Sequence, residues 1–151
     1  MLTYIDYENL LFENMMKKDC SGQLFEENLF NAIIEIGNDL MYGHREWDEE
    51  DSHLSECWVN FNNSNQEEII IGGWNRCTGI ELNATGIYTF LSNIQMTSRE
   101  QIHMFLVFTL AHERCHREHG DICQYSNKEE HDAHPCELRA QQAGYEAIRN
   151  I

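Results

Sequence analysis

The feature that most constrains this 151-residue chain is a five-residue run, His112-Glu113-Arg114-Cys115-His116. Residues four apart lie on one face of an α-helix, so a helix here aims both imidazoles at one point. Neutral imidazole is a preferred ligand of zinc, and two imidazoles on one helix leave the remaining positions to ligands from elsewhere in the chain. The chain must therefore be helical across the motif and must bring a second segment to it. Glu113 follows the first histidine but is rotated by about 100° around the axis. From there it can take a proton from an ion-activated water without binding the ion itself.

The surroundings suit such a helix. Thr97 with Glu100, and Ser98 with Gln101, both have the spacing of a capping box. Ile102, Phe105, Leu106, Thr109 and Leu110 follow at helical spacing, and Gly120 ends the run. Phe108, Leu110 and Ala111 bury the helix, and a buried polar cluster beside them is costly unless something satisfies it. A polar, histidine-containing loop is expected from Asp121 to Pro135, and a last helix from about Cys136 to the C-terminus. Upstream, helices are expected over about Tyr7 to Lys18 and Leu24 to Tyr42, the second ending at Gly43. Between Cys57 and Leu91 the texture changes. Cys57–Phe61, Glu68–Ile71, Gly79–Leu82 and Gly86–Leu91 read as short antiparallel strands, with turns at Asn62–Asn65 and Gly72-Gly73.

Charge and cysteine content narrow the function classes. The chain carries 26 acidic and 10 basic residues, a formal charge of −16, which repels phosphate backbones and argues against nucleic-acid binding. Acid is densest from Glu46 to Asp51 and continues to Glu56; this reads as a solvated loop, or as a surface for a basic protein partner. Cysteines 20, 57, 77, 115, 123 and 136 contain no CxxC pair, so a zinc ribbon is excluded, and reduced thiols are expected. The acidic N-terminus lacks signal-peptide character, and the apolar stretch from Met104 to Ala111 is too short to span a bilayer. A cytoplasmic, single-domain protein over residues 1–151 is the expectation.

A catalytic zinc needs a third protein ligand and an open fourth position. Glu137, which opens the last helix, is the leading candidate, and its place there is favoured by the helix dipole. A loop histidine, His131 or His134, is the alternative. His119 shares the ligand face but fits a second-shell or rim position, since three ligands from one straight helix suit a tetrahedral ion poorly. Cys115 points away from that face.

This arrangement, two histidines and a glutamate from a following helix, resembles the gluzincin branch of the zincin metallopeptidases. In small phage and bacterial regulatory members the second helix often reads Glu-x-x-Ala, matched by Glu137 and Ala140. The resemblance covers about Phe105 to Ile148 and does not reach the N-terminal third. It implies a zincin-like α+β fold, in which a small antiparallel or mixed sheet packs on the motif helix and a C-terminal helix, with additional N-terminal helices. Many gluzincins carry an Asp four residues after the glutamate to orient a histidine; this chain has Gln141 there. Metzincins need a glycine and a third histidine where this chain has His119 and Ile122. SprT-like proteases share the cysteine at the fourth motif position, but their basic character is missing. The resemblance implies zinc as cofactor, Glu113 as general base, a protein or peptide substrate, and an edge strand, Gly86–Leu91, that aligns it. His134, His131, Tyr145 and Tyr88 are the candidate oxyanion stabilisers. The alternative function is a non-catalytic scaffold, acidic and DNA-mimic-like, that binds and inhibits a basic partner.

Overall fold

The computed structural model describes residues 1–42, 54–60, 69–122 and 124–151. The described residues form six helices and a three-stranded sheet. The order is α1 (Tyr4–Met16), α2 (Glu26–Tyr42), β1 (Glu56–Val59), β2 (Gly72–Asn75), β3 (Gly79–Asn83), α3 (Ala84–Ile94), α4 (Arg99–His119), α5 (Lys128–Ala133) and α6 (Pro135–Ile148). The acidic run from Glu46 to Asp51, the expected turn at Asn62–Asn65, the cap at Gly43 and Cys123 lie outside the described residues.

The motif helix α4 organises the fold. Of the two capping boxes open to its start, Ser98 with Gln101 forms: Ser98 Oγ accepts from the Gln101 N–H, and Gln101 Oε1 accepts from the Ser98 N–H, both at 3.2 Å. Glu100 instead accepts from the Asp19 N–H at 2.9 Å. Gly120 ends the helix in the left-handed conformation, φ +61°. There the amide of Gly120 bonds the carbonyl of Arg117, and that of Asp121 bonds the carbonyl of His116. This ending turns Asp121 back beside the second histidine of the motif.

Ile102, Met104, Leu106 and Leu110 of α4 are almost completely buried. Helix α2 and the sheet pack against α4, while α1 and α6 pack both against it and against each other. Where α6 crosses α4, Gly144 faces the Phe108 ring, and a Cβ there would come within 3.0 Å of three ring atoms. The absence of a side chain thus sets how closely α6, and the glutamate at its start, approaches the motif.

The sheet differs from the sequence reading in three respects. It is mixed, one of the two forms the resemblance implied, rather than the purely antiparallel arrangement read from the strands: β1 runs parallel to β3, with Glu56 opposite Ile80, and β2 runs antiparallel to it, with Trp74 opposite Ile80. β2 forms at Gly72-Gly73, where a turn was expected. A Cβ on Gly72 would meet the Glu81 carbonyl at 2.5 Å, so Gly72 serves close strand packing rather than reversal. Of the expected strand at Glu68–Ile71, Glu68 lies outside the described residues and the other three belong to no strand.

A fourth correction is larger. Gly86–Leu91, expected as an edge strand, is the middle of helix α3. Ala84, Ile87 and Leu91 are buried, at helical spacing, and tertiary burial outweighs the β-branched and aromatic composition. Gly86 lies where a Cβ would collide with the carbonyl of Ile70, so the helix start packs on bare backbone. Smaller adjustments occur elsewhere. A Thr3–Asp6 capping box starts α1 three residues before the expected Tyr7, and α5 lies inside the expected loop from Asp121 to Pro135. Glu56, read as the tail of a solvated acidic run, is fully buried.

Candidate metal centre

Helix α4 presents His112 and His116, both 8% exposed, and α6 presents Glu137 from its first turn, 5% exposed. One nitrogen from each imidazole and one carboxylate oxygen lie within 4.8 Å of one another. His112 Nε2 is 3.1 Å from Glu137 Oε1, His116 Nε2 is 3.0 Å from Glu137 Oε2, and the two Nε2 atoms are 3.2 Å apart.

The outward nitrogens define the protonation of this cluster. Gln141, one turn after Glu137, donates its Nε2 to the carbonyl of Tyr4 at 3.1 Å, so its Oε1 faces His112 Nδ1 at 2.8 Å. A carbonyl oxygen only accepts, so His112 Nδ1 carries the hydrogen. His116 Nδ1 is 2.9 Å from Asp121 Oδ2, and Arg139 holds the Asp121 carboxylate at 2.6 and 2.7 Å. His116 Nδ1 is therefore also a donor. In their neutral forms both histidines then aim Nε2 lone pairs at each other and at a carboxylate, and such a set of electron pairs requires a cation among them.

In the metal-free protein that cation is a proton. Burial works against protonation of His116, but its bonds to Glu137 and Asp121 outweigh this and hold its pKa up at about 9. Burial would also raise Glu137; instead His112, His116 and His131 hold its carboxyl far below the usual carboxylate range. Imidazole nitrogen with carboxylate oxygen is a donor set suited to zinc. Each histidine also donates its second ring N–H to a fixed oxygen, the usual support for a metal-ligating imidazole. The residues fit the ion.

Glu113 is 3.9 Å from His112 Nε2, beside the cluster but outside hydrogen-bond range. Burial pushes its carboxyl above the ordinary range, and the neighbouring histidines only partly offset this. Among the candidate oxyanion groups, His131 comes to the centre. Its Nε2 is 3.2 Å from Glu137 Oε1 and its Nδ1 is 2.9 Å from Asp132 Oδ1. Glu137 first, and Asp132 as well, hold its pKa above the ordinary value against burial.

The other candidates have different roles. His134 Nδ1 accepts from the Cys136 N–H at 3.1 Å and caps α6. Tyr145 packs beside Tyr7, ring centroids 6.2 Å apart, and Tyr88 sits against Phe30. His119 Nδ1 bonds the carbonyl of Cys115 at 2.8 Å and lies away from the cluster. None of these four lines the cleft over the centre.

Sequence reasoning missed Asp121, Tyr125 and Tyr4. Tyr125 donates to Glu137 Oε2 at 3.0 Å and lies 3.0 Å from Cys136 Sγ. The Tyr4 ring stands edge-on to His112 and His131, centroids 6.4 and 5.4 Å away. Asp121 had a signal, an acid placed directly after the helix-ending glycine. Tyr4 had none.

A cleft of about 630 Å³ opens over the centre. Its floor is α4, one wall is α1, and Ile69, Ile71 and the strand β2 from Gly72 to Trp74 line it as well. Among the described residues β2 is an edge strand. No described helix is long and apolar enough to cross a membrane. No family model, no curated protein and no solved structure matches the chain.

Proposed function

We propose that the chain is a zinc-dependent peptidase of the zincin type, with His112, His116 and Glu137 as ligands and Glu113 as general base. The observation that carries this reading is the convergence of two imidazole Nε2 atoms on one carboxylate, each ring held from behind by an accepting oxygen. A structural ion would not need Glu113, a buried carboxylate beside the ligands with its affinity for protons raised.

Zinc held by these residues supplies Lewis acidity toward a water and a carbonyl oxygen. Glu113 accepts the proton at its carboxylate and returns it to the leaving amine. His131, whose ring nitrogens face Glu137 and Asp132, lines the same cleft and is placed to donate a hydrogen bond to negative charge developing on the carbonyl oxygen. Gln141 and Asp121 fix the ligand rings. The edge-strand role expected of Gly86–Leu91 passes to β2, where Gly73 has open space at the Cβ position and leaves the backbone approachable by an extended peptide.

The first test is elemental analysis of the purified protein beside His112→Ala and Glu137→Gln. About one zinc per chain, lost in both variants, is expected. Glu113→Gln retains the zinc and loses about 10²- to 10⁴-fold in peptide cleavage. Absence of metal from the parent protein after zinc is supplied overturns the reading and favours the acidic binding scaffold.

A further inference from the structure

The cleft does not stop at the ion-binding end. Along α1 its lining steps from Tyr4, beside His112 and His131, through Glu8 to Phe12, one turn at a time. Along α4 it steps from His112 through Phe108 to Phe105. At about 1.5 Å of rise per residue, both walls place an aromatic end roughly 10–12 Å from the ion-binding end. There the rings of Phe12 and Phe90 lie 6.1 Å apart, and Phe90 stacks on Phe105 at 5.3 Å. An extended peptide rises about 3.3 Å per residue, so this distance spans about three residues.

Acidic groups outnumber cations along the groove: Glu8, Glu113, Asp121 and Glu137 line it, with Lys128 as the one lysine or arginine among the lining residues. Glu8 sits between the two ends on α1 and is half-buried. Lys128 lies 5.9 Å above the Tyr4 ring, is close enough to favour the charged form of Glu8, and pairs with Asp132 at 3.4 Å; its side chain is largely exposed and leaves Glu8 open to a basic substrate residue. The whole chain carries −16.

We infer that the aromatic end is a specificity pocket of this same site, with Phe12 and Glu8 as its selecting residues. It takes a bulky apolar side chain within three residues of the scissile bond, and a basic rather than acidic residue beside it opposite Glu8. This inference rests on the peptidase reading. It also gives a role to α1, which lies outside the segment that resembles known peptidases.

The test uses the zinc-loaded protein and tryptophan-free quenched peptides that differ at one pair of positions: Phe-Lys, Ala-Lys and Phe-Glu. The expected kcat/KM for Phe-Lys exceeds each of the others by about tenfold or more, within the range that pocket contacts supply. Phe12→Ala brings the Phe-to-Ala ratio toward unity, Phe12→Leu restores part of it, and Glu8→Lys reverses the charge preference. Circular dichroism and melting confirm that each variant folds. Equal cleavage of Phe and Ala peptides, or a ratio untouched at Phe12, overturns the pocket while leaving the peptidase intact. Binding of the peptides to Glu113→Gln, followed by tryptophan fluorescence because Trp74 lines the cleft, separates the two ideas. Selective binding that depends on Phe12, with no hydrolysis by the parent protein, keeps the pocket and removes the peptidase reading. Unselective binding removes the pocket.

Discussion

Helix α4 carries two buried polar clusters, and they are opposites. One gathers His112, His116 and Glu137; the other joins Arg114 and Arg117 to Glu56 on β1. Glu56 is fully buried, and its carboxylate receives Arg114 Nε at 2.7 Å, Arg114 Nη2 at 2.6 Å and Arg117 Nη1 at 3.0 Å. That cluster brings its own cations, and its geometry is closed. The histidine cluster brings two imidazoles and a carboxylate with no lysine or arginine on Glu137. Arg114, inside the five-residue motif, is thus not a spacer: it fastens the helix to the sheet, while His112 and His116 face the other cluster. A cluster complete in itself holds the fold, and one lacking a cation is where ligand chemistry belongs.

The comparison breaks most visibly at Glu56. Glu56→Ala leaves the Arg117 side chain, 8% exposed, without this carboxylate and should cost about 3–5 kcal/mol of folding stability. Urea unfolding measures the loss, while zinc per folded chain stays unchanged. A loss below about 1 kcal/mol would mean that the pair contributes no more than a surface bridge.

The next effect lies behind the ligands. Asp121→Asn and Gln141→Ala should each weaken zinc binding about 10- to 100-fold, read by competition with a chelating dye, since outer partners orient the rings. Asp121→Asn should be the more severe of the two, because Asp121 contributes charge as well as orientation.

The smallest effect sharpens the idea of a missing cation. With its pKa held at about 9, His116 is protonated at pH 7 in the metal-free protein and must give up that proton to bind zinc. Calorimetry in buffers of different ionisation enthalpy should detect about one proton released per zinc between pH 7 and 8. Affinity should rise about tenfold per pH unit there and level off above pH 9. The sign for the metal-free fold is the reverse. Protonated His116 contributes stability that is fully present below its ordinary pKa of about 6.5 and is lost as pH rises through 9. Zinc uptake without proton release would remove the argument from ring protonation.

What was legible in the sequence was whatever one segment could say alone. Helix α4 announced itself through the Ser98–Gln101 cap, its apolar spacing and Gly120. Glu137 stood out by its place at the start of the last helix, whereas Gln141 was noted only through the resemblance, where an amide in place of Asp suggested weaker support than its 2.8 Å contact with His112 provides. The middle of the chain misled because composition was read without knowledge of burial. Ile87, Tyr88, Thr89 and Phe90 favour strands, yet packing at Ala84, Ile87 and Leu91 makes a helix of them. Gly72-Gly73 resembled a turn because nothing local shows that the neighbouring strand passes close by. Glu56 read as solvent-facing because its two arginines are 58 and 61 residues away. Tyr4 and Tyr125 reach the centre only through tertiary packing.

The hydrogen bond from Gln141 to the Tyr4 carbonyl spans 137 residues and orders events in time. During synthesis α1 emerges first, the two histidines follow, and the carboxylate that joins them comes later still. A nascent chain that has made α4 but not α6 holds a pair of imidazoles with neither the Glu137 carboxylate nor the amide that steadies His112. The cluster is complete only when α6, made after α4, docks on both α4 and α1.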